Sequence, residues 1–142
     1  MWLDRLKTLY DEYIGQVRQL EWDRKPADGL LGMGKGPSDD ACHDRFAGAV
    51  EALLKEFDSA APSSGEVRDV LWYIYSSIET DDIPLSAYWM LGAVHGFTVA
   101  LTDRLQPQQA SELAELYERV MPRRKRLPVQ KKVWAAIRRA ER

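Results

Sequence analysis

Apolar residues recur at intervals of three and four positions along most of the chain. This period places apolar side chains on one face of an α-helix, and no stretch shows the sustained alternation that is typical of a half-buried β-strand. The pattern therefore predicts six helices. They cover about residues 2–25, 39–57, 63–78, 86–103, 107–120 and 128–137.

Polar residues and prolines indicate where several of these helices begin and end. Ser38 is a predicted N-cap of the second helix, and Ser63 has capping-box spacing from a glutamate three residues later. Pro107 and Pro128 fit the first turns of the last two helices. Pro26 predicts the end of the first helix, because proline disfavours helical backbone at the residue before it.

The fourth predicted helix is apolar on nearly every side, as in a helix that is surrounded by others. Residues 83–102 carry no charge and are long enough to span a bilayer, but the neighbouring amphipathic helices need an apolar partner in water. Gly92, Gly96 and Ala100 form a small-residue seam that predicts close approach of another helix. We therefore expect an all-α fold, a compact array of five to six helices around a central apolar helix at about 86–103.

Length and composition favour one folded domain over residues 1–142. The chain is long enough to bury its own core, and its 45% hydrophobic and 30% charged fractions are typical of globular proteins. A single cysteine, Cys42, excludes an intramolecular disulfide and favours the cytoplasm. The first residues lack the basic and apolar regions of a secretory signal.

Positive charge is concentrated at the C-terminal end. Residues 121–142 carry nine Lys and Arg against one Glu, a net charge of +8, which leaves −10 for the first 120 residues. This predicts a basic helical arm at about 122–142, in which Trp134 is available for stacking. Its candidate partner-binding residues, besides Trp134, are Arg123, Arg124, Lys125, Arg126, Lys131, Lys132, Arg138 and Arg139.

The arm has four interpretations. Docking on the acidic body or simple solvation is favoured first, a protein partner second, nucleic acid third and a membrane surface last. Nucleic acid is disfavoured because the body is acidic and only one aromatic residue interleaves the charges.

A glycine-rich segment before the second helix partly matches the residue spacing of a nucleotide-binding loop. Gly29, Gly34 and Lys35 match the spacing of a phosphate-binding P-loop, but Gly36 stands where a Ser or Thr must hold magnesium. The segment also follows a helix instead of a strand. Asp39 would repel a phosphate at the following helix N-terminus, so a structural loop is the favoured interpretation over an anion site at Lys35.

The chain has two histidines, His43 and His95. Asp39 and His43 share a helix face, and convergence with His95 would form a two-histidine, one-carboxylate metal site. Lys35, Asp39, His43 and His95 are therefore the candidate ligand site. The chain has no helical Glu-x-x-His or His-Glu-x-x-His motif, so local hydrogen bonding is the favoured role of each histidine, and neither metal nor cofactor is expected.

These features predict a small cytoplasmic interaction or regulatory protein that binds another macromolecule. Its partner is expected to be a protein, and no catalytic residue is assigned because the sequence contains no catalytic motif. The alternative is an enzyme, or a protein that binds a small ligand or metal, using His43, His95 and nearby carboxylates.

Overall fold

In a computed structural model the described residues form six α-helices and one short 3₁₀-helix. The structure describes the backbone of residues 1–31, 40–80 and 84–142 and the side chains of residues 1–19, 41–77 and 92–142. No β-strand occurs in these ranges, which confirms the predicted all-α class. The helices are α1 (Trp2–Leu31), α2 (Asp40–Ser59), α3 (Ser64–Thr80), α4 (Pro84–Thr102), α5 (Pro107–Val120), the 3₁₀-helix (Arg123–Lys125) and α6 (Pro128–Ala140).

The apolar helix α4 contacts α2, α3 and α6. Helix α5 packs on α3 and α6, and α1 packs on α2 and α3. The predicted apolar faces form the shared core because each helix can bury its stripe only against its neighbours. Core residues from the six helices include Leu6, Tyr10, Phe46, Phe57, Leu71, Ile74, Val94, Leu101, Leu113, Tyr117 and Ile137.

Helix α1 is longer than predicted. The prediction that it ends before Pro26 is wrong, since the helical backbone continues to Leu31. Proline within a helix removes one backbone hydrogen bond and crowds the preceding turn, and Asp28 and Gly29 have low helix propensity. No local signal in the segment therefore explains the continuation.

The small-residue seam on α4 faces away from the other described helices, so the prediction of close helix approach there is wrong. Gly92, Gly96 and Ala100 are exposed, and a Cβ atom added at either glycine would meet no atom within 4 Å. Val94 and Thr98 are buried instead. Two residues along a helix correspond to about 200° of rotation, so the buried and small residues lie on opposite faces.

Replacing Gly96 with alanine is expected to stabilise the protein. The Gly96→Ala variant adds a Cβ in open space and removes the entropic penalty of glycine within a helix, which should raise the free energy of unfolding by about 0.5–1 kcal/mol. Urea denaturation measures the change. The reciprocal control Ala100→Gly, one turn later, should lower the midpoint by a similar amount, and a lower midpoint for Gly96→Ala would contradict the exposed placement.

The turn between α2 and α3 is defined by local hydrogen bonds. The Glu66 backbone N–H donates to Ser63 Oγ at 3.2 Å, and the Ser63 N–H donates to Glu66 Oε1 at 3.2 Å. These two bonds confirm the predicted capping box at the start of α3. Ala61, just before it, has a left-handed backbone with φ of 51°.

Buried tyrosines contribute polar groups to the core. Tyr10 packs edge-on against Phe46 and Tyr73, with ring centres 5.4 and 5.3 Å apart, and its hydroxyl has no hydrogen-bond partner among the described residues. Burial strongly raises the pKa of Tyr10, and the neighbouring Tyr73 and Tyr75 raise it further. Burial also raises the pKa of Tyr75, against an opposing effect of the nearby Thr98 hydroxyl.

These shifts predict alkaline destabilisation. The native phenols of Tyr10 and Tyr75 stay protonated above pH 10, where tyrosines of the unfolded chain ionise, so the unfolded state binds fewer protons and stability falls as pH rises. Urea midpoints at pH 7 and pH 11 measure the loss. The loss should be smaller in Tyr10→Phe than in the parent protein, and an equal loss in both would show that Tyr10 does not contribute.

Candidate functional site

Helix α6 packs on the core through an apolar stripe. Val133, Ala136 and Ile137 are buried, and the helix lies against α4 and α5. Val129, which the pattern also places inward, is only half-buried. The stripe thereby holds the C-terminal segment against the body and fixes where its charged residues lie.

The chain between α5 and α6 is ordered by backbone hydrogen bonds. The Lys125 N–H donates to the Pro122 carbonyl at 2.8 Å, which closes the 3₁₀-helix. The Leu127 N–H donates to Gln130 Oε1 at 2.9 Å, and Pro128 occupies the first turn of α6. This short connection therefore sets the position of Arg126, which lies between the two helices.

The predicted basic residues divide into two sets by their partners. At the end of α6, Arg138 pairs with Glu141 at 3.0 Å and Arg139 pairs with Asp103 at 3.3 Å. The other set, which we call the basic surface, is exposed and forms no ion pair with any residue that the structure describes. It consists of Arg123, Arg124, Lys125, Lys131 and Lys132.

Arg126 differs from the other cations of the segment because it is buried, with only 9% of its surface exposed. Its guanidinium carbon lies 4.3 Å from the centre of the Trp134 ring and 5.5 Å from that of Tyr117. Its Nε donates to the Met121 carbonyl at 2.8 Å. Stacking on two rings and one charge-assisted hydrogen bond therefore hold the guanidinium in place.

A surface hollow of about 500 Å³ adjoins Arg126. It is lined by Arg126, Arg123, Lys131, Glu118 and the Trp134 ring. The Nη2 atom of Arg126 is buried and has no hydrogen-bond partner in the described part of the chain. The described residues of the hollow thus include three cations and one carboxylate. One buried hydrogen-bond donor, Nη2 of Arg126, has no partner among them.

No family model, curated protein or solved structure matches this chain. Functional inference therefore depends on its own residues and their geometry.

The structure brings together part of the predicted partner surface, whereas the predicted ligand site stays a prediction. Lys35 and Asp39 lie outside the described residues, so the pairing of Asp39 with His43 stays a prediction. His43 is half-buried on α2, with its ring centre 5.7 Å from that of Tyr13. His95 is half-buried on α4, and its Nδ1 is buried without a hydrogen-bond partner among the described residues.

Three further observations concern a metal site, Cys42 and membrane crossing. Within the ranges described above, no three His, Cys, Asp or Glu side chains lie together in a group able to hold a metal ion. Cys42 is buried in the core. None of the helices, over their described residues, combines the length and apolar character needed to cross a membrane.

Sequence reasoning grouped Arg126 with the exposed cations and missed that it is buried. Its burial depends on Tyr117 and Trp134, which belong to different helices, so no local pattern distinguishes it from Arg123 or Arg124. The sequence signal that indicates burial here is that Arg126 lies between two amphipathic helices, which must pack on each other.

Proposed function

We propose that this protein is a small cytoplasmic interaction protein that binds another protein through the basic surface. The observation that carries the proposal is that five cations on one segment are exposed and unpaired within the described part of the molecule. The apolar stripe of α6 already supplies the packing of this segment, so the outward cations are not needed to dock it.

The charge distribution favours an acidic protein segment as the occupant. Residues 1–120 carry a net charge of −10, which repels an extended polyanion such as duplex nucleic acid or an anionic membrane. A short acidic segment contacts the basic surface alone, and at physiological salt charges beyond about 8 Å are largely screened from it. Complementary charge of this kind increases the association rate and selects the partner.

The alternative function, an enzyme or a small-ligand protein that uses His43 and His95, has weaker support. The orphaned Nδ1 of His95 is its strongest observation, but no described carboxylate or cysteine joins a histidine in a metal-binding group.

Site-specific crosslinking tests the proposal. A photoreactive amino acid at position 132, on the basic surface, is expected to crosslink one protein partner in the cells that make this chain. The same group at Lys55, an exposed cation on α2, is the matched control and should not form that adduct. The crosslinked protein is then purified, and its affinity for the whole chain is measured by calorimetry.

Charge reversal decides whether the contact is the one proposed. The double variant Lys131→Glu with Lys132→Glu should weaken partner binding by about tenfold or more, and the parent affinity should fall as salt is raised. Lys55→Glu should leave the affinity unchanged. Equal weakening by Lys55→Glu, or adducts at position 132 that contain nucleic acid instead of protein, would overturn the proposal.

A further inference from the structure

The buried guanidinium of Arg126 lacks an anionic partner. Its Nε is bound by the Met121 carbonyl, its Nη2 is buried without a partner, and no carboxylate among the described residues pairs with it. A buried charge without a counter-charge is costly, and arginines in such positions are usually paired with a carboxylate or phosphate. The Trp134 and Tyr117 rings keep the guanidinium in place without neutralising it.

The charge of the hollow indicates the class of anion. Among the described residues that line it, Arg123, Arg126 and Lys131 contribute three positive charges and Glu118 one negative charge, which gives a net charge of +2. A phosphate monoester carries about −1.5 to −2 at neutral pH, whereas a carboxylate or a phosphodiester carries −1. An arginine guanidinium also donates strong charge-assisted hydrogen bonds to phosphate oxygens.

We propose that this hollow binds a phosphate monoester presented by a phosphorylated side chain of the partner protein. The proposal rests on the proposed function, because it assigns the basic surface a single anchoring group on the partner. Arg126 supplies the fixed contact with the phosphate. Arg123 and Lys131, which are exposed at the same hollow, neutralise the remaining charge.

The experiment uses the whole chain and four probes, observed by NMR at the Arg126 side-chain Nε–H and the Trp134 indole N–H. The probes are a blocked Ala-phosphoserine-Ala peptide, the matching Ala-Glu-Ala peptide, inorganic phosphate and dimethyl phosphate. The phosphopeptide is expected to give saturable shifts of both signals and to bind most tightly. Its affinity should fall between pH 7.5 and pH 5, because the phosphate loses its second charge near pH 6.

Matched variants distinguish binding in the hollow from nonspecific attraction to positive charge. Arg126→Gln should weaken phosphopeptide binding by about tenfold or more, which is the usual loss for a hydrogen bond to a charged group. Arg124→Gln makes the same charge change outside the hollow and should weaken it less than about threefold. Because Arg126→Gln also removes a contact with Met121, Arg123→Gln and Lys131→Gln at exposed positions serve as second variants, and both should weaken binding more than Arg124→Gln.

Specific outcomes would overturn the inference. Equal losses in Arg124→Gln and in the three hollow variants would show binding by unspecific charge. Dimethyl phosphate or the glutamate peptide binding as tightly as the phosphopeptide would contradict a dianion site, and inorganic phosphate binding as tightly would contradict a phosphate carried by a protein. If the crosslinked partner binds Arg126→Gln as tightly as the parent, the phosphate site is wrong while the proposed function stands, since the crosslink at position 132, which does not line the hollow, tests that function separately.

Discussion

Removal of residues 122–142 is expected to abolish cooperative folding. The truncation deletes the buried residues Val133 and Ile137 and exposes Leu116 and Tyr117, which are each 1% exposed in the whole chain. Each large buried side chain contributes about 2–5 kcal/mol, so the combined loss should exceed about 5 kcal/mol and equal or exceed the total stability of many small domains. Near-ultraviolet circular dichroism and urea denaturation measure the result.

The control for this truncation changes the charge of the segment and keeps its packing. Lys131→Gln with Lys132→Gln alters two exposed residues and should leave the free energy of unfolding within about 0.5 kcal/mol of the parent value. A truncated chain that unfolds at the parent urea midpoint would show that the C-terminal segment is energetically independent of the body. Fast amide exchange across α6 in the whole chain would lead to the same conclusion.

Tyr117→Ala is expected to be the most damaging single substitution at the junction of α5 and α6. The Tyr117 ring packs edge-on against Tyr75, with ring centres 5.0 Å apart, and stacks with Trp134 at 6.2 Å. Its hydroxyl donates to the Gln130 carbonyl at 3.3 Å. Truncating a buried aromatic residue to alanine costs about 3–5 kcal/mol, which urea denaturation should detect as a large drop in midpoint.

The conservative variant separates ring packing from the hydroxyl. Tyr117→Phe keeps the ring contacts and removes one long hydrogen bond, so the expected loss is about 1 kcal/mol. A loss in Tyr117→Phe as large as in Tyr117→Ala would mean that the hydroxyl, and not the ring, stabilises the junction. Tyr117→Phe should also retain the NMR response of Arg126 to the phosphopeptide, because the ring beneath the guanidinium is unchanged.

The helices could be predicted from the sequence because their signals are local. The apolar period locates each one, Ser63 and Glu66 define the start of α3, and Pro107 and Pro128 begin α5 and α6. A local signal is not always decisive. At Pro26 the helix continues, although proline removes a hydrogen bond and crowds the preceding turn.

The sequence of α4 does not predict which of its faces is covered by other helices. An all-round apolar helix gives no periodic contrast, so the pattern does not show that its glycine face is open to solvent. The candidate site could not be predicted from the sequence either. The basic segment is visible in the composition, but the hollow forms only when Arg126 packs against rings from α5 and α6, which is a tertiary arrangement.

The exposed cations of the basic surface belong to a chain whose first 120 residues carry a net charge of −10. In dilute buffer two copies should therefore attract each other head to tail, with the basic surface of one molecule against the acidic body of the next. Such a contact joins different surfaces, so it forms a ring where the rotation between copies closes and an open chain of variable length where it does not. Light scattering should rise at about 0.01 M salt, where charges interact over about 30 Å, and return to the monomer value near 0.15 M.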